Sequence, residues 1–200
     1  PVISVREQRT KDFIEKVYSG KIVESIDPVF LLSKSEWNTI CAQKRTERNY
    51  VLVYYVQQPI ELLRYARRVA HKNNYELIII SDKIVECIGN SFKGFACDPS
   101  SFLSLIKNAS LILTNSFHGT AFSIIFQKEF MVEINSRIEI NNRIISLLER
   151  LGIEDRSLEQ HKSFKDLKPV DWRKVNQKME IEQKRTADYF YDYLFDCSLN

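Results

Sequence analysis

Side chains able to grip an anion and move a proton are concentrated in one short stretch, Thr114-Asn115-Ser116-Phe117-His118-Gly119-Thr120. An imidazole changes charge near neutrality, so His118 can act as an acid, a base or a phosphate ligand; the alternative is an imidazole that merely caps a turn. The hydroxyls of Ser116 and Thr120 can donate to a phosphate or serve ordinary turn and capping roles. Gly119 lets backbone approach a ligand closely or adopt a strained turn. Immediately upstream, Leu111, Ile112 and Leu113 form an unbroken apolar run, the pattern of a strand covered on both faces. From Thr120 the pattern is that of a mostly buried helix. A strand-to-helix turn of this kind sits at the carboxyl edge of an open α/β sheet, where ligands bind and helix-start N–H groups attract anions.

The elements that must position this turn alternate along the chain. Pro1 to Val5 reads as a strand, and Thr10 can cap a helix with Phe13, Ile14, Val17 and Tyr18 on one face, ended by Gly20. Ile22 and Val23 suggest a small strand, and Asp27-Pro28 a turn. Ser33 with Glu36 has the spacing of a capping box for a helix through about Cys41. Tyr50 to Val56 is the next strand. Pro59 suits a first helical turn before the inward stripe Leu62, Leu63, Ala66, Val69 and Ala70. Glu76 to Ile80 is a strand and Asp82 to Phe95 irregular; Asp98 then caps a helix with Pro99 at its first position. After the central turn and its helix come a strand over Phe130 to Ile134 and a helix through Ile144, Leu147, Leu148 and Leu151, closed by Gly152. Glu154 to Lys168 reads as a polar loop, and Asp171 as the cap of a long final helix. The repeated β-α units predict an α/β fold, a Rossmann-like parallel sheet with helices on both faces.

Composition narrows the function. At 200 residues and 44% hydrophobic content the chain can bury a sizeable core. No apolar run approaches the roughly 20 residues that span a bilayer, so it reads as soluble and intracellular. A formal charge of +3 is too small to argue for nucleic acid but suits an anionic substrate. Cys41, Cys87, Cys97 and Cys197 are too dispersed for a zinc ribbon or redox pair. The five glycines are too scattered for a dinucleotide fingerprint or a P-loop, and no His pair or D-x-D supports a metal. Arg64, Arg67, Arg68, His71 and Lys72 form a basic helix face, read as solvated, with an acidic partner or membrane surface as the alternative.

The run Asn115 to Ser123, followed by Ile125-Phe126-Gln127-Lys128-Glu129-Phe130, resembles the polysaccharide pyruvyl transferase family. Segments in the same order support the resemblance: Ser4-Val5-Arg6-Glu7, Asp27 to Leu32 with Trp37, Pro99 with Phe102 and Leu103, Asn142-Arg143 before Leu147-Leu148, and Leu151 to Arg156. They cover nearly this whole chain and about the C-terminal half of a typical member, whose two Rossmann-like domains form a GT-B-like arrangement. The expected organisation is therefore the tail of an N-terminal domain with linking segments over 1–49, a donor-binding domain over 50–168, and a C-terminal helix over 169–200. A first strand that begins at once, without an initiator Met, fits the same expectation of a fragment.

The resemblance implies transfer of pyruvate from phosphoenolpyruvate onto sugar hydroxyls as a ketal in surface-polysaccharide biosynthesis, with no cofactor and no metal. It implies a saccharide or lipid-linked saccharide acceptor, a cytoplasmic location and, for a lipid-linked acceptor, peripheral attachment to the inner membrane face. His118 is then the expected catalytic residue. Arg6, Ser116, Phe117, Gly119 and Thr120 are the expected donor and phosphate contacts, with a salt bridge the alternative for Arg6 and a core role the alternative for Phe117. Arg137 and Arg143 are weaker candidates. The competing reading is a noncatalytic or glycosyltransferase-like half that binds a phosphorylated metabolite or nucleotide sugar.

Overall fold

Val51, Leu52 and Val53 are consecutive and all fully buried, so the strand they belong to is covered on both faces. The computed structural model describes residues 2–43, 49–80, 91–94, 98–134, 141–160 and 168–194. In chain order the elements begin with β1 (Ile3–Val5), α1 (Gln8–Ile14), β2 (Ile22–Glu24), a 3₁₀ turn at Pro28–Leu31 and α2 (Lys34–Thr39). Then come β3 (Tyr50–Tyr54), α3 (Leu62–Asn73), β4 (Glu76–Ile80), β5 (Ser91–Gly94) and α4 (Pro99–Asn108). The central turn lies between β6 (Leu111–Thr114) and α5 (Phe117–Ile125), and β7 (Phe130–Val132), α6 (Asn141–Leu151) and α7 (Trp172–Leu194) complete the chain.

Two compact units result, one of Pro1–Leu32, Arg150–Gly152 and Asp171–Asn200, the other of Ser33–Glu149 and Ile153–Val170. In the larger unit five strands, all parallel, are ordered β5-β4-β3-β6-β7. From the β3/β6 junction the chain winds outward in both directions. Right-handed crossovers therefore put α3 and α5 on opposite faces of the sheet. Strand parity agrees: Val51, Val53, Leu111, Leu113 and Met131 pack with Leu62, Ala66 and Val69 of α3, so Leu52, Ile112 and Thr114 face the other way.

In the smaller unit β1 and β2 pair in parallel, and α7 is tied to them within that unit. Thr186 Oγ1 accepts from Ile26 N–H at 3.1 Å, Gln183 donates to the Phe30 carbonyl, and Arg150 pairs with Glu24 and Glu182.

Local signals were mostly obeyed. The Ser33–Glu36 capping box is complete, Asp98 caps α4 ahead of Pro99, Asp171 accepts from Lys174 N–H, and Gly152 ends α6 at φ +69°. Other expectations need correction. Thr10 lies inside α1, whose N-cap is Glu7, and Phe13 and Val17 are 68% and 80% exposed instead of forming a buried face. Pro59 precedes α3, which starts at Leu62. Ser91–Gly94, read as irregular, pairs with β4, because strand pairing overrides the weak propensity of a Gly-containing tetrapeptide. Within Glu154 to Lys168 lie two 3₁₀ turns and a buried arginine: Arg156, 1% exposed, donates to Glu129, Asp155 and the Lys168 carbonyl. A charge this buried is tolerated only because its donors are paired. The strand expected to run to Ile134 ends at Val132. Cys87, Cys97, Cys197 and Arg137 lie outside the described residues.

Candidate active site at the sheet switch point

Adjacent strands that lead outward in opposite directions leave a crevice at their carboxyl ends. Here those strands are β3 and β6, in register Tyr54↔Thr114. Short polar side chains close the junction. Thr114 Oγ1 donates to the Tyr54 carbonyl at 2.6 Å and accepts from Ser116 N–H at 3.0 Å. The Asn115 amide spans the gap, accepting from Val56 N–H at 3.0 Å and donating to the Gln57 carbonyl at 2.9 Å. Asn115 is thereby a positioning residue that the sequence showed only as a short hydrogen-bonding side chain.

The turn into α5 is built from the expected motif. Ser116, in extended conformation, is the N-cap, its hydroxyl accepting from Gly119 N–H at 3.4 Å. Thr120 donates to the Ser116 carbonyl at 3.0 Å and Ser123 to the Gly119 carbonyl at 2.7 Å; all three hydroxyl residues are buried. Gly119 is required sterically: a Cβ there would stand 2.3 Å from Thr114 Oγ1 and 3.0 Å from Tyr54 Cδ1. The helix start thus lies directly against the ends of both central strands.

His118 is exposed, and its imidazole has no hydrogen-bond partner among the described residues. The first-turn N–H groups of Phe117 and His118 likewise have no acceptor there. Phe117 is half-buried, its ring edge-on to His118 at 5.6 Å between centroids. Above that ring lies the guanidinium of Arg143, 3.9 Å from the centroid. The contact sets a permanent cation over Phe117, the first residue of α5, where the helix field also favours an anion. Tyr54, Phe102, Phe122 and Trp37 meet edge to face at 4.9 to 6.0 Å, so that Phe122 of α5 packs against side chains of α2 and α4.

Glu133, which sequence reasoning did not single out, completes the rim. Two residues beyond Met131, it faces α3, and its 7% exposed side chain accepts from the N–H groups of Ile60, Glu61 and Leu62. Its own N–H donates to the Thr114 carbonyl at 2.9 Å. The available signal was an acidic residue directly after an apolar strand.

Arg6 belongs to the smaller unit. Its guanidinium pairs with the buried Asp27 carboxylate at 2.7 Å while 51% of the side chain stays exposed. Asp27 also accepts from Val29 N–H and so caps the 3₁₀ turn. Among the described residues no group of three His, Cys, Asp or Glu side chains could hold a metal ion, and no helix is long and apolar enough to cross a membrane.

A family model described as polysaccharide pyruvyl transferase matches residues 1–137, which include β1, Arg6 and the whole central turn. The chain belongs to this family. It is accordingly related to transferases that modify saccharides. The match stops short of Arg143 and Arg156, so the similar segments around those two arginines lie beyond the matched residues. No curated protein matches the chain. Solved structures with a similar fold include S. aureus MnaA in complex with UDP, at TM-score 0.56 and 14% identity over 95% of this chain and 58% of that one. A UDP-N-acetylglucosamine 2-epimerase follows at 0.55 and 12%, over 96% and 57%. The glycotransferase of kitacinnamycin gives 0.52 and 11%, over 80% and 46%. These likenesses establish a GT-B, Rossmann-like fold for this chain, which spans about half the length of such structures.

Proposed function

We propose that this chain carries the donor site for moving pyruvate from phosphoenolpyruvate onto two hydroxyls of a saccharide in surface-polysaccharide biosynthesis. The carrying observation is the grouping, within the first turn of α5, of exposed His118 and a Phe117 ring over which the Arg143 guanidinium lies. Phosphoenolpyruvate bears a phosphate and a carboxylate, and the helix start with one fixed cation suits that charge.

The reaction divides into steps that such groups can serve. Protonation of the donor's methylene carbon makes C2 electrophilic, and a sugar hydroxyl adds there as its proton is removed. The C2–O bond to phosphate then breaks, inorganic phosphate carrying the electron pair away, and the second hydroxyl adds to C2 and closes the ketal. One hydroxyl proton balances the proton gained by the methylene carbon, and the other leaves with phosphate. His118 is the group at the site able to relay these protons, and Arg143 with the α5 N–H groups balances the growing charge on phosphate. The family's saccharide acceptor, lipid-linked in one version of the reading, would draw the protein to the inner membrane face.

The alternative, a GT-B-like half that binds a nucleotide sugar, is favoured by the fold neighbours solved with or named for UDP compounds. Titration with phosphoenolpyruvate and with UDP-N-acetylglucosamine, followed by backbone amide shifts, separates the two. Shifts at residues 116–120 with the first ligand alone support pyruvyl transfer; shifts there with the nucleotide sugar alone overturn it.

A further inference from the structure

In a sheet of this order the first β-α turn from the switch point, here β3 into α3, is the position at which a Rossmann-like fold holds a dinucleotide pyrophosphate. In this chain that turn is already filled. Ile60 N–H reaches the two Glu133 oxygens at 3.2 and 3.0 Å, Leu62 N–H reaches Oε1 at 3.0 Å, and Glu61 N–H donates to the same oxygen. Three successive N–H groups converging on one anion form the nest by which backbone binds phosphate oxygens. The turn has no glycine, running Gln57-Gln58-Pro59-Ile60-Glu61, and Glu61, the N-cap residue of α3, makes no side-chain cap of its own. The carboxylate comes instead from across β6, held in place by the bond from Glu133 N–H to the Thr114 carbonyl.

We propose that Glu133 is a specificity-determining residue: its carboxylate occupies the nucleotide-phosphate position at the start of α3, so that nucleotide diphosphates are rejected and an anionic donor is directed to the α5 turn. Two effects act together. The nest is satisfied, so a phosphate entering it must displace the carboxylate from all three N–H groups, and the buried negative charge repels a diphosphate placed nearby. A donor with a single phosphate needs only one helix start and avoids both. The proposal rests on the reading of a one-phosphate donor given above.

Amide shifts on the 200-residue chain test it, with inorganic pyrophosphate, UDP and phosphoenolpyruvate as probes. In the native chain pyrophosphate and UDP should leave the amides of residues 60–62 unmoved. In Glu133→Ala the vacated nest should take pyrophosphate, shifting those amides with affinity tighter by roughly tenfold or more, the scale of charge-assisted hydrogen bonds. Glu133→Gln keeps an accepting oxygen without the charge and should show a smaller gain in the same direction, which covers the case in which the alanine variant does not fold. Shifts of residues 60–62 by UDP in the native chain, or no gain in either folded variant, would overturn the assignment. Phosphoenolpyruvate shifts at 116–120 report separately on the donor reading, so the two ideas fail by different signals.

Discussion

The Arg143 guanidinium stands 3.9 Å from the centroid of the Phe117 ring, joining the first turn of α6 to the first turn of α5. A cation held over an aromatic face is attracted by the negative face of the ring and so fixed in position. The contact places a permanent cation at the start of α5.

Arg143→Ala should weaken phosphoenolpyruvate binding by roughly tenfold or more, on the scale of a charge-assisted hydrogen bond. Arg143→Lys should recover only part of it, since an ammonium neither stacks nor forks. Calorimetric titration of the three proteins checks this; an alanine variant that binds the donor normally would reduce Arg143 to a brace for α6.

His118 is exposed and makes no hydrogen bond among the described residues, so its removal should leave the fold untouched. Turnover, followed as phosphate released from phosphoenolpyruvate in the active transferase, should fall by roughly 10²-fold or more in His118→Ala. Unchanged melting temperature with unchanged turnover would remove the imidazole from the chemistry.

Gly119 admits no side chain without displacing Thr114, whose hydroxyl is committed to the Tyr54 carbonyl and to Ser116 N–H. Gly119→Ala should cost about 1–3 kcal/mol, the usual range for overpacking. Adding Thr114→Ala removes the oxygen 2.3 Å from the new Cβ, so the double variant should lose less than the sum of the singles. Denaturant unfolding of the four proteins measures the coupling, and simple additivity would mean that the clash is relieved elsewhere.

Asp98 accepts from the Ser100 and Ser101 hydroxyls and from Ser101 N–H, contacts that hold its carboxyl well below the usual carboxylate range. A carboxylate depressed on folding stabilises the protein above its unfolded pKa, near 4, and that contribution fades as pH falls through the lower folded value. Asp98→Asn retains a capping oxygen without the titration. The stability difference between native and variant should be full at neutral pH and shrink on acidification below about pH 4. A difference that stayed constant with pH would show that the cap works without its charge.

What the sequence determined by itself is local in origin. The β-α alternation, the polar turn between Leu113 and Thr120, the capping box at Ser33 and Glu36, the Asp98-Pro99 helix start and the Gly152 stop all depend on neighbours within a few residues. The family was legible for the same reason, since its motif lies in one continuous run. Tertiary structure decided the rest. Glu133 caps a helix more than seventy residues earlier in the chain, because the order of β3, β6 and β7 brings the end of β7 beside the start of α3. Arg143 reaches Phe117 for a like reason, Arg156 is buried because Glu129 and the Lys168 carbonyl converge on it, and α7 shares a unit with Pro1–Leu32 through bonds spanning most of the chain. Such pairings are decided by which strands lie side by side and which faces their alternating residues present, and no short window of sequence contains that information.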